Sequence, residues 1–103
     1  MIYALNVYDI IPGKESVYAD YAAAAGAVIA TLDMRIVAAG DKPIREITGQ
    51  SRNHFVLAEF ADVESFDRLM DGLAERDLHR LRESATENYI WTLYEPWNFG
   101  GGD

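Results

Sequence analysis

The sequence predicts an α+β domain: one four-stranded antiparallel sheet in the order βαββαβ, with its helices on one face. Three observations predict it. A strand-like apolar run is followed by apolar residues at spacings of three and four, and this change of period occurs twice. Turn residues separate the runs, at Pro12-Gly13, at Gly40-Asp41 and through TGQSRN (48–53). The chain has 103 residues, the size of one domain.

Strand one is IYALNVYDI (2–10), rich in β-branched and aromatic residues and closed by Pro12-Gly13. From about Lys14 to Leu32, Val17, Tyr18, Tyr21, Ala25, Val28, Ile29 and Leu32 share one helical face. MRIVAA (34–39) is strand two, broken by Gly40-Asp41, with PIREI (43–47) expected to continue it past a bulge. His54–Phe60 is strand three. Asp62 is placed to cap a second helix whose apolar stripe is Val63, Phe66, Leu69, Met70 and Leu73, with Gly72 expected to interrupt it. DLHRLRESA (77–85) reads as a further short helix carrying Leu78 and Leu81 inward. NYIWTLYE (88–95) is strand four, ended by Pro96, so the domain spans 1–96 and a tail spans 97–103. Trp97 and Phe99 are expected to lie across a partner subunit or the pocket mouth, with 100–103 mobile. This order is that of a ferredoxin-like fold.

Strands three and four are apolar on both faces. Val56, Ala58 and Phe60 alternate with Phe55 and Leu57, and Tyr89, Trp91 and Leu93 alternate with Ile90 and Tyr94. A half-solvated antiparallel sheet should alternate apolar with polar. Helices cover one face, so a second copy of the sheet is expected on the other, making a homodimer. On the outer side of the first helix, Ala19, Ala23, Gly26 and Ala30 form a small-residue stripe that would admit another helix, as in a dimer of dimers.

Composition excludes several classes. Seventeen acidic residues against nine Lys and Arg give a net charge of −8, and the basic residues are scattered. Such a surface repels nucleic acid and anionic lipid. Without cysteine there is no disulfide, thiolate nucleophile or thiolate metal site. The two histidines stand apart from any metal-ligand motif, and no phosphate loop or nucleophile elbow is present, so neither metal nor organic cofactor is expected. The weakly polar run YAAAAGAVIATL (21–32) is shorter than the ~20 residues that span a bilayer, and no leader is expected before strand one. A cytoplasmic protein is expected.

The long first helix before MRIVAAG, the block RNHFVLAEFADVESF and the segment DLHRLRESAT resemble the dimeric α+β barrel superfamily, within it a family of small bacterial domains of unknown function. The resemblance implies two sheets packed into a dimeric barrel. It also implies a choice among cofactor-independent monooxygenases, isomerases, cyclases and haem-dependent members, so fold alone assigns no chemistry. HFVLAEFADVE further resembles the third strand of a polyketide cyclase, in which a histidine likewise stands six residues before the strand-ending phenylalanine. Tyr3 replaces a pocket histidine of that cyclase, Tyr21 or Tyr18 matches its pocket tyrosine, and His79 falls in the segment of its catalytic histidine.

These residues are the candidates. His54 shares the parity of Val56, Ala58 and Phe60, so it points toward the sheet–helix cleft if that face meets the helices. An imidazole with a pKa of about 6.5 transfers protons in either direction near neutrality. A strand-end histidine bonded to a backbone carbonyl is an equal reading. Tyr3, with Leu5 and Val7, and Tyr21 on the buried helix face would orient His54 or donate to a developing enolate, or simply fill the core. Asn6 and Tyr8 take the opposite face of strand one, toward the partner sheet. Arg35 would hold a carboxylate or enolate, or pair with Glu59. Trp91 and His79 complete the ligand contacts, although His79 lies in a charged segment that favours exposure. The expected function is cofactor-free proton-transfer chemistry on a hydrophobic, aromatic or polyketide-like molecule, with a non-catalytic binding module as the alternative.

Overall fold

A computed structural model of the chain describes residues 1–99. Its elements are β1 (Ile2–Ile10), α1 (Glu15–Ile29), β2 (Met34–Asp41), β3 (His54–Phe60), α2 (Val63–Glu75), α3 (Leu78–Ala85) and β4 (Thr86–Tyr94). The four strands form one antiparallel sheet in the order β2-β3-β1-β4. Tyr21, Ala25 and Val28 of α1, Leu69 and Leu73 of α2, and Leu78 of α3 pack on Ala4, Ala58 and Phe60 of the sheet. The fold is ferredoxin-like α+β.

Local chemistry explains the element ends. The Asp62 carboxylate accepts the Ser65 N–H at 2.8 Å and starts α2. At the end of α1 the backbone tightens, with Thr31 and Leu32 N–H donating to Val28 and Ile29 carbonyls at 3.0 Å. Gly72 does not interrupt α2, contrary to expectation. A Cβ there would stand 2.6 Å from Val28 Cγ1, so glycine lets α1 and α2 approach. Nor do Gly40 and Asp41 break strand two: both belong to it, paired with Phe55 and His54, and the space a Gly40 Cβ would need holds the Phe55 ring. The register shift lies earlier, between Ile36 and Ala38. PIREI is a loop rather than a continuation of β2, with Ile44 and Ile47 fully or largely exposed.

Cross-strand pairing decides which way each side chain points, because directly opposed residues share a face. Tyr8 pairs with His54, Asn6 with Val56 and Trp91, and Ala4 with Ala58 and Leu93, all on the helix side. Tyr3 pairs with Glu59 and Tyr94, Leu5 with Leu57, and Val7 with Phe55 and Ile90, on the other side. This corrects the faces expected for β1: Asn6 and Tyr8 meet the helices, and Tyr3 turns away from them. On that outer side Phe55 is 40%, Ile90 47% and Tyr94 51% exposed. The stripe Ala19, Ala23, Gly26 and Ala30 is solvent-facing in the protomer. Trp97 and Phe99 are exposed and lie against each other, with ring centroids 4.8 Å apart. The expectation for 100–103 lies outside the described residues.

Candidate functional site

Between α1 and the sheet lies a cleft of about 270 Å³. Ala4, Val56, Ala58 and Phe60 floor it, Ala22, Ala25 and Ile29 of α1 roof it, and Met34 and Ile36 line its β2 side. Polar atoms enter only through Asn6, Tyr18, Tyr21, Tyr89 and the indole of Trp91; the lining has no carboxylate, imidazole or amine. Alanines along α1 leave this space, because the helix approaches the sheet without filling the gap with side chains.

The hydroxyls are ordered by one another. Asn6 Nδ2 donates to the Tyr89 hydroxyl oxygen at 2.7 Å, which leaves the Tyr89 proton to be donated elsewhere. Tyr8 and Tyr18 share one hydrogen bond at 2.5 Å between two hydroxyls, so again one proton is left over. Tyr18 lines the cleft; when Tyr8 donates to it, the Tyr18 proton is free to meet a ligand. A bulge opposite Tyr8, with Asn88 at a positive φ of 56°, brings Tyr89 over Tyr8 in a stack 4.9 Å between centroids.

Burial raises the pKa of Tyr18 far above that of a free phenol, and the hydrogen bond to Tyr8 adds to it. Tyr89 is also raised by burial, opposed by the Asn6 hydrogen bond and the Arg82 charge. Tyr8 shifts upward for the same leading reason. All three stay neutral near physiological pH and act as hydrogen-bond donors and acceptors, not as bases.

The expected site residues divide. Tyr21 and Trp91 line the cleft, Tyr21 buried and tilted against Tyr18, Trp91 edge-on to Phe66. His54 does face the helix side, its ring stacked on Tyr8 at 5.3 Å and 11°. It does not line the cleft. It borders a second, open hollow beneath the 42–53 loop, and its Nδ1 is buried without a hydrogen-bond partner. Tyr3 cannot orient it, because Tyr3 is on the far side of the sheet opposite Glu59. Arg35 is there too, exposed and bonded to Glu59 at 3.2 Å, so its ion-pair reading holds and it is not a cleft cation.

His79 is not the exposed residue its neighbours suggested. Its Nε2–H donates to the Met70 carbonyl at 3.0 Å, and its Nδ1 accepts from Arg82 Nη1 at 2.9 Å. The tautomer follows, because a guanidinium only donates. Sequence reasoning assigned Asn6 and Tyr8 to the partner-sheet face, and missed Tyr89 and Arg82. A polar residue inside the apolar run IYALNVY and the i, i+3 pair His79/Arg82 were the available signals.

These features define a ferredoxin-like α+β domain with an apolar sheet–helix cleft edged by neutral hydroxyls. The chain belongs to the DUF1330 family, a domain of unknown function, which matches residues 2–94. Comparison with curated proteins gave no match. Among solved structures, it is similar to a protein of unknown function from Rhodopseudomonas palustris, at 21% identity and a TM-score of 0.78 over 94% of this chain and 82% of that one. A dimeric ferredoxin-like protein of unknown function from Thermobifida fusca is 10% identical, with a TM-score of 0.66 over 92% and 90%. SnoaB, a cofactor-independent oxygenase from Streptomyces nogalater, is 13% identical, with a TM-score of 0.63 over 98% and 97%. At these identities the likeness establishes the fold. Among the described residues no helix is long and apolar enough to cross a membrane, and no group of three or more His, Asp or Glu is placed to hold a metal ion.

Proposed function

We propose that the protein is a cofactor-independent enzyme that binds a small apolar molecule of one or two rings and stabilises its enolate or phenolate. The carrying observation is the cleft itself: an apolar slot in which the Tyr89 hydroxyl has a proton to give, and the Tyr18 hydroxyl has one whenever Tyr8 donates to it. Its 270 Å³ lies just below the ~300–1,000 Å³ typical of ligand pockets, which favours a bicyclic over a large polyketide. Donors aimed at a developing oxyanion are worth about 10²–10³ in rate each. Isomerisation, cyclisation and oxygenation can all begin with such an anion.

A homodimer is part of this reading. Tyr3, Leu5, Val7, Phe55, Leu57, Ile90 and Tyr94 make an apolar outer sheet face that a second copy would cover, giving the two-sheet barrel. The dimeric neighbour of the same fold supports it.

The second reading, a binding module without turnover, is favoured by the lack of a base in the cleft lining. An enolisable bicyclic ketone, 2-tetralone, separates the two. Its α-proton exchange in D₂O, followed by NMR, should be accelerated by the protein and fall at least tenfold in Tyr18→Phe and Tyr89→Phe. Binding without acceleration makes it a binding module, and absence of binding refutes the cleft. His54→Gln then assigns the proton route. Retained exchange sends the proton to water at the open mouth, and lost exchange with intact binding sends it to His54.

A further inference from the structure

Arg82 stands against the cleft rings without a part in the proposed function. It is only 9% exposed, yet it forms no ion pair with a carboxylate among the described residues. Its guanidinium carbon lies 5.1 Å from the Trp91 ring centroid, 5.4 Å from Tyr89 and 5.9 Å from Tyr21. Those three rings are also walls of the cleft. A buried cation normally has an anion beside it, because losing hydration is costly and ring faces replace only part of it. In a chain carrying seventeen acidic residues, one facing Arg82 would be simple to supply. Instead the guanidinium is fixed by a neutral imidazole, which the Met70 carbonyl in turn holds in the accepting tautomer.

We infer that Arg82 supplies the charge that makes this cleft select an anionic oxygen. The ligand class is a phenol or enol that ionises on binding, its oxygen against the Tyr18 and Tyr89 hydroxyls with Arg82 behind the aromatic wall. This rests on the cleft being a ligand site and adds to it the ionisation state of the ligand. His79 is a positioning residue: it aims the guanidinium across the rings and leaves its charge unneutralised, as a carboxylate there would not.

The test uses 4-nitrophenol, whose phenolate is coloured, with the intact protein. An opposite charge lowers an acid's pKa, by about 1–3 units within about 4–6 Å and by less beyond, so Arg82 behind the rings should lower that of the bound phenol by about one unit or less. Arg82→Gln should return the midpoint of bound 4-nitrophenol to or above that of the free compound while still binding the neutral form. Arg82→Lys should keep part of the shift, and it serves in place of the glutamine variant should that one fail to fold. Ala22→Phe, which fills the cleft, should abolish the shifted signal. Bound 4-nitrophenol with an unshifted midpoint in the native protein overturns the inference while leaving the cleft a binding site. A shift that survives Arg82→Gln overturns it as well. No binding at any pH removes the cleft reading and the inference with it.

Discussion

Replacing Gly72 by alanine sets helix propensity against packing, and the structure predicts which prevails. Gly72 is inside α2, where alanine is favoured over glycine by about 1 kcal/mol. Its new Cβ would stand 2.6 Å from Val28 Cγ1, well inside the 3.4 Å at which ordinary contact begins. Val28 is buried and β-branched on a helix, so its χ1 has essentially one setting and cannot swing aside. The overlap must be relieved by moving α1 from α2, an overpacking cost of about 1–3 kcal/mol. The net expectation is a loss of about 1 kcal/mol, or roughly 4–8 °C in Tm for a domain of this size. In a Val28→Ala background the obstruction is gone, and the same substitution should stabilise by about 0.5–1 kcal/mol. Urea unfolding of the four proteins at one fixed protein concentration measures the coupling. A Gly72→Ala effect of the same sign in both backgrounds would refute the reasoning. Because Ala25 and Ile29 of α1 and Leu69 and Leu73 of α2 all border the cleft, the single variant should also weaken 2-tetralone binding.

Leu57→Asp would place an unpaired charge in the proposed inter-sheet layer, and sedimentation at micromolar concentration should change from twice 11.5 kDa to a monomer; a native protein that is already monomeric defeats the dimer. Removing residues 96–103 should weaken self-association or ligand binding if Trp97 and Phe99 cover a partner or the pocket mouth, and unchanged values for both would refute that placement. Asp9 has its carboxyl pKa lowered first by the Asn88 side chain and then by the Asn53 N–H, and Asp62 by the Ser65 N–H. Depressed carboxyls stabilise the fold above their unfolded pKa, and that contribution is lost as pH falls through the folded value. Stability should therefore decline on acidification below about pH 4, and less so in Asp9→Asn, as followed by thermal unfolding across pH.

Periodicity is a local property, and what depends on it was legible in the sequence. The strands, the helices, the Asp62 cap and the buried stripe of α1 follow from residues within a few positions of one another. So does the apolar character of both sheet faces. The direction of each β1 face is not local: it depends on register with β3 and β4, whose paired residues are 46–58 and 76–91 positions away. Read alone, Tyr3, Leu5 and Val7 are the more apolar set and belong under the helices. Pairing with Glu59, Leu57 and Phe55 turns them outward and brings Asn6 and Tyr8 inward. That exchange removed Tyr3 from the site and created the Asn6–Tyr89 and Tyr8–Tyr18 pairs. Arg82 was unreadable for a related reason. LHRLRESA has the charge of a solvated helix, and only the packing of α3 against Tyr21, Tyr89 and Trp91 buries its guanidinium. Sequence thus determined which segments became strands and helices, while tertiary pairing decided which polar atoms meet, because hydrogen bonds and ring contacts need positions distant in the chain to come within a few ångströms.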